Sequence, residues 1–167
     1  MAKKENRPMG EVVQLVNFRL RDEEFGVDIG LVKEVTRVED ISHIPEAPSF
    51  IQGVTNLRGQ IIGVIDLARQ FGLAPQENLP ERARIMVAEV KGQTVGMLVD
   101  EVMEVLKIPK ENIEPAPELI QTEIRKDYIK GVGKLDNRLI ILLDLEKVLA
   151  PDELKKAAKV GNKKTTE

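Results

Sequence analysis

Ile51-Gln-Gly-Val-Thr-Asn-Leu-Arg-Gly-Gln-Ile-Ile-Gly-Val-Ile-Asp-Leu67 is written a second time as Ile129-Lys-Gly-Val-Gly-Lys-Leu-Asp-Asn-Arg-Leu-Ile-Ile-Leu-Leu-Asp-Leu145, 78 residues on. An earlier block is doubled too. Phe25-Gly-Val-Asp-Ile-Gly-Leu-Val-Lys-Glu-Val35 aligns with Val95-Gly-Met-Leu-Val-Asp-Glu-Val-Met-Glu-Val105 at an offset of 70. The pairs include Gly26 with Gly96, Val32 with Val102, and Glu34 with Glu104. The second copy therefore holds eight more residues between its blocks, placed around 120–127 in a connection spanning Pro115–Lys130. Two copies of one unit predict two similar subdomains.

Each copy reads as short strands. Val16, Phe18 and Leu20 alternate with Asn17, Arg19 and Arg21, the period of a half-buried strand, and Phe25, Val27 and Ile29 resume it after the charged turn 21–24. Residues 85–90 and 95–99 flank Lys91-Gly92-Gln93, a hairpin signal, and Asn56–Gln60 is a second turn. Asp66 and Asp144 each close an apolar strand and cap a short helix, over 67–71 and 145–149. Prolines at 45, 48, 109, 115 and 117 punctuate the connections. Many short strands with regular turns predict barrels, not a parallel sheet. The expected organisation is a mobile tail over 1–11, one β-barrel half over 12–80, a second over 81–150 with terminal strands exchangeable between halves, and a charged tail over 151–167.

Composition narrows the function. Aromatics make up only 3% of the 167 residues, so aliphatics must fill the interior. A net charge of −3 gives no electrostatic footprint for nucleic acid, and one Tyr with four Phe is too few for a base-stacking platform. The absence of cysteine excludes disulfides and thiol chemistry. No apolar run reaches the ~20 residues of a membrane span, and the start carries no secretory signal.

No catalytic constellation emerges. His43 is the single histidine, read within an alternating strand 40–44 that sends Ser42 to the opposite face. A zinc site without cysteine or a second histidine is not expected. Asp66 and Asp144 hold identical places in the two copies, which favours capping over acid–base work. Phosphate-cradling glycine loops are absent. No catalytic residue, metal or cofactor is assigned. Two features look like recognition instead. Ile29, Val32, Val35 and Val38 step by three, echoed by Val99, Val102, Val105 and Ile108, and such steps line either a core or a groove where two related subdomains meet. Arg58 sits at a turn tip where the second copy has Asp136.

These residues resemble the CheW family of bacterial chemotaxis coupling proteins, over about 11–150. The resemblance lies in Phe-Gly-Val-Asp-Ile (25–29), Val-Lys-Glu-Val (32–35), Ile-Pro-x-Ala-Pro-x-Phe-Ile-x-Gly-Val-x-Asn-Leu-Arg-Gly (44–59), Val-Gly-Met-Leu-Val-Asp-x-Val (95–102) and Pro-Ala-Pro-Glu (115–118). It implies two packed five-stranded SH3-like barrels with short helices. It also implies a cytoplasmic, non-catalytic adaptor, recruited to membrane-associated receptor arrays, that couples chemoreceptors to the histidine kinase CheA. The partners implied are the receptor's cytoplasmic tip and the CheA regulatory domain. Carried over by position, the receptor-binding residues would be Ile29, Val32, Val35, Arg58 and Val102. The kinase-binding residues would be Glu34, Ile41 and Ile44. A CheW-like scaffold in a non-flagellar pathway, and more remotely a nucleic-acid-binding barrel, are the alternatives.

Overall fold

The computed structural model describes residues 11–47, 50–74, 76, 78–115 and 128–149, which form a mainly β protein of two sheets. In chain order the strands are β1 (Val12–Leu20), β2 (Glu23–Asp28), β3 (Val32–Arg37), β4 (Ile51–Leu57) and β5 (Gln60–Asp66). These are followed by β6 (Arg84–Val90), β7 (Gln93–Val99), β8 (Glu101–Pro109), β9 (Ile113–Glu114), β10 (Ile129–Leu135) and β11 (Arg138–Leu143). Helix α1 (Leu67–Gln70) follows β5 and α2 (Leu145–Val148) follows β11. The expected tails, and most of the longer connection of the second copy, lie outside the described residues.

Sheet order shows how the repeat is used. One sheet runs β8-β1-β2-β11-β10-β9, the other β3-β6-β7-β5-β4. Under the repeat, β1–β2 corresponds to β6–β7, β3 to β8, and β4–β5 to β10–β11. The first hairpin of each copy therefore lies in the sheet built by the rest of the other copy. The exchange is sealed by two parallel pairings at equivalent places, β2 on β11 (Phe25 opposite Ile141) and β7 on β5 (Val95 opposite Gly63). Even the short β9 has a counterpart, because Ser42 makes a single bridge to Val54 where Glu114 pairs with Val132.

Alternation along the strands gives every sheet two apolar faces. The inner face of the first wraps around Leu15, Leu106, Ile108, Ile140 and Leu142, and that of the second around Ile62, Val64, Ile85, Val87 and Leu98. These are the interiors of two SH3-like barrels. The opposite faces meet in a third and larger core that includes Phe18, Phe25, Val27, Ile65, Met86, Met97 and Val99. All five aromatic residues of the chain lie in or against this junction. Phe18 stacks on Phe25 at 5.7 Å between centroids, Phe25 meets Phe71 at 5.9 Å, and Phe71 meets Tyr128 at 5.7 Å. Burying a side chain of this size contributes about 1.5–3 kcal/mol, so the junction is a principal source of stability.

Local sequence explains the details. Asp66 Oδ1 accepts from Arg69 N at 3.3 Å and Asp144 Oδ1 from Glu146 N at 3.1 Å, so both aspartates cap as their placement requires. Lys91 (φ 52°) and Gly92 (φ 81°) make a tight two-residue turn between β6 and β7. Gly53 and Gly131, equivalent under the repeat, mark register shifts in β4 and β10 where a neighbouring backbone crowds in. A Cβ on Gly53, at φ 151°, would stand 2.2 Å from the Ser42 carbonyl oxygen, and one on Gly131 2.8 Å from that of Glu114.

Two expectations are corrected. Ile29 does not continue β2: Asp28 accepts from Gly30 N at 2.7 Å and turns Ile29–Leu31 into a 3-10 turn that leads into the other sheet. Residues 40–44 are not a strand, because Ser42 alone bridges, and His43 is exposed.

Gly53→Ala should lose at least about 2 kcal/mol in urea unfolding, from the strained φ and the backbone clash. Gly59→Ala, whose Cβ would meet nothing within 4 Å, should lose only about 1 kcal/mol for its left-handed φ of 88°. Equal losses would show that the close approach at Gly53 is unimportant.

Candidate functional site

A three-residue apolar step does not fit a strand of period two, and a β-bulge resolves it. Val32 pairs with Ala88 but Glu34 pairs with Val87, so the register shifts across Lys33. The bulge reverses the alternation. Val32 faces the central core with Ala88, and Val35, paired with Met86, returns to that same side. Strand β8 repeats the device, since Val102 opposes Phe18 and Val105 opposes Val16. Both bulged strands are sheet edges.

Burial grades along the two stripes in parallel. Ile29, Val32 and Val102 are half-buried against the central core, while Val99 is fully inside it. Val35 and Val105, equivalent under the repeat, emerge with 40% and 51% exposure. Val38 and Ile108 then turn into the two separate barrel cores. The stripe is therefore core at its ends and surface at one residue in each copy.

Arg58 and Glu34 come together. Arg58 (φ 52°) and Gly59 (φ 88°) form the β4–β5 turn, fastened by Asn56 Oδ1 accepting from Gly59 N at 2.8 Å. Because the bulge points Glu34 away from Val32, its carboxylate meets the Arg58 guanidinium in a two-pronged pair. One prong, Nη1 to Oε1, is 2.9 Å. The pair sits over a shallow opening at the barrel end, lined also by Lys33, Leu57, Gln60, Val87 and Thr94. The hydrogen bonds from Arg58 hold the Glu34 carboxyl below its ordinary value, and Glu34 raises Arg58 in turn. Both are solvent-facing, so the pair sets geometry more than stability.

Ile41 and Ile44 separate. Ile41 packs on the aliphatic core of the β3–β4 barrel, with its Cγ2 2.8 Å from where a Cβ of Gly53 would be, and Ile44 packs on the central core. Both are half-buried on the connection beside edge strand β4.

The second copy holds an ion-pair cluster that the sequence reading missed. Arg138 Nη2 donates to Glu24 Oε1 at 2.7 Å, to buried Asn17 Oδ1 at 3.1 Å and to Glu104 Oε2 at 3.4 Å. Glu104 is the repeat counterpart of Glu34, so the same strand position is paired in both barrels. The signal was present but displaced: Asp136 occupies Arg58's place, and the arginine stands two residues later. Arg138 holds Glu24 below the ordinary carboxylate range. A depressed folded pKa contributes stability above the unfolded value and loses it as pH falls through the folded one. The Glu24 contribution is thus present at neutral pH and lost in acid, below 4.5. Among the described residues no group of three or more His, Cys, Asp or Glu side chains could hold a metal, and no helix is long and apolar enough to cross a membrane.

Comparison with known proteins places this geometry. A family model described as CheW-like domain matches residues 14–153. The chain is 39% identical over 150 residues to a protein named chemotaxis protein CheW from Klebsiella aerogenes, covering 87% of each. It is 35% identical over 151 residues to chemotaxis protein CheW from Treponema pallidum, covering 89% of this chain and 88% of that one. Among solved structures, the scaffolding protein TtCheW from Thermoanaerobacter tengcongensis superposes with a TM-score of 0.76 and 38% identity, over 85% of this chain and 90% of that one.

The two arginines should respond differently to removal. Arg138→Met strands a buried Asn17 oxygen and the Glu24 carboxylate, and should lower unfolding stability at pH 7 by about 2–3 kcal/mol. That loss should shrink as the pH is lowered below 4.5, where Glu24 begins to lose its charge. Arg58→Ala should leave the unfolding midpoint close to that of the wild type at any pH. A large, pH-independent loss on Arg58→Ala would make it a structural residue.

Proposed function

From the membership of this chain in the CheW family, to which it belongs, we propose that it is a non-catalytic adaptor coupling chemoreceptors to the histidine kinase CheA in chemotaxis. The observation that carries the reading is the bulged edge strand β3. It holds half-buried Val32 and exposed Val35 on one side and the Arg58–Glu34 pair on the other. An aliphatic strip beside a fixed, exposed ion pair suits recognition of an amphipathic helix by shape, with the charges setting register.

In this mechanism the receptor's cytoplasmic tip lays a helix over Ile29, Val32, Val35 and Val102, with Arg58 at its border. The regulatory domain of CheA meets the connection carrying Ile41 and Ile44, and Glu34 stands next to both surfaces. Coupling is then physical. The receptor and the kinase each bias the geometry of a shared assembly, and no bond in the adaptor is made or broken. Single contacts of this size give modest affinity, so function depends on many adaptors held together in cytoplasmic arrays at the membrane.

Calorimetric titration of the full chain with a receptor-tip fragment and with the CheA regulatory domain tests the reading. Both should bind. Val35→Asn should weaken the receptor fragment by about tenfold or more with little loss of stability, because Val35 is exposed. Val32→Glu should lose binding and stability together, since Val32 packs on the central core. If neither fragment binds the folded chain, the coupling assignment is wrong.

A further inference from the structure

We propose that Arg37 and Arg84 form a carboxylate-binding pair at the end of the β3 strip, and that they take an acidic side chain of the receptor helix lying over Val32 and Val35. This deepens the function proposed above and rests on it.

The two arginines stand directly opposite each other on β3 and β6. Like charges in such cross-strand positions repel and destabilise the sheet. Alternation places Arg37 on the same side as Val35, and Arg84 on the same side as Met86, the partner of Val35. The aliphatic strip therefore runs straight into the pair. Among the described residues neither guanidinium has a carboxylate partner. Arg84 Nη1 donates only to backbone, to Ala83 O at 2.7 Å and Glu81 O at 3.3 Å, which holds its planar fork in place. The neighbouring charges do not neutralise the pair: Glu81 lines the same shallow pocket without forming an ion pair, and Glu101 is engaged by Arg82 at 3.1 Å and Arg19 at 3.9 Å. Leu79, 44% exposed, walls the pocket and adds an apolar contact for the stem of an incoming Glu or Asp.

Two cations without a carboxylate partner among the described residues, at the end of an aliphatic strip that surfaces at Val35, fit one occupant, a helix with aliphatic residues along a face and a carboxylate at one end of it. Guanidinium forks bind carboxylates bidentately, so the pair would fix the direction and register of that helix.

The test is calorimetry of the full-length chain with a receptor-tip fragment. Arg37→Gln and Arg84→Gln should each weaken binding about five- to tenfold at low salt, and the double variant little more, because both hold the same group. Binding to the CheA regulatory domain should not change. Among receptor fragments with single Glu→Gln or Asp→Asn changes, one should bind more weakly and be insensitive to Arg37→Gln. Arg37→Gln should keep or raise the unfolding midpoint, since it removes a like-charge contact. Receptor binding within twofold of wild type in the double variant overturns the inference while leaving the coupling function standing. A lowered midpoint with Arg37→Gln overturns it too, by making the arginine structural. Failure of the wild-type chain to bind the receptor fragment removes both.

Discussion

The junction between the barrels is the constraint on which the rest of the molecule depends. Among the described residues each barrel alone encloses only a handful of aliphatic side chains, too few to hold a small sheet closed. The third core, between the outward faces, supplies the missing burial and contains the aromatic chain from Phe18 through Phe25 and Phe71 to Tyr128. A sequence with few aromatics has placed all of them where two sheets must be held face to face. Because β3 and β8 skirt this core at the sheet edges, their bulges are where burial gives way to surface. The candidate site is the margin of the stabilising core, which explains why Val32 and Val35 differ so much in exposure only three residues apart.

Much of this was legible in the residues. The doubled blocks announced two related subdomains, the alternation of Val16, Phe18 and Leu20 gave β1, and the two aspartates marked the helix starts. The register of a bulge was not legible. Val32-Lys-Glu-Val35 does not say where a strand will gain a residue, because that depends on what lies across the ladder, here Ala88 and Val87. The pairing of Arg58 with Glu34 was out of reach for the same reason. His43 was misread because alternation over five residues is weak evidence when no neighbouring strand completes the ladder. Arg138 was hidden by a two-residue displacement, which no alignment of the halves could expose without knowing that Glu104 points towards it.

Comparing the two barrels separates an ion pair tied to the buried interior from one held at the surface. Glu34 and Glu104 occupy the same position, yet Arg58 reaches its partner from an exposed turn, whereas Arg138 reaches from within a strand and also satisfies buried Asn17. An exposed pair costs little to disturb and can exchange partners. A pair joined to a buried amide cannot be disturbed without loss of stability. One barrel end is thus locked to the interior, and the other carries its pair at the surface.

The reciprocal exchange of first hairpins has a consequence for how such a protein could arise and diversify. A single repeat leaves its hairpin without a sheet to join, so the smallest closed object it could build is a symmetric pair of chains trading hairpins. Joining the two copies in one polypeptide turns that concentration-dependent association into an intramolecular one, with the partner always present at high effective concentration. Once stoichiometry is fixed by the covalent link, symmetry is no longer enforced by identity of sequence. Arg58 and Asp136 illustrate that freedom: at φ 52° and 54° they hold equivalent turn positions and carry opposite charges.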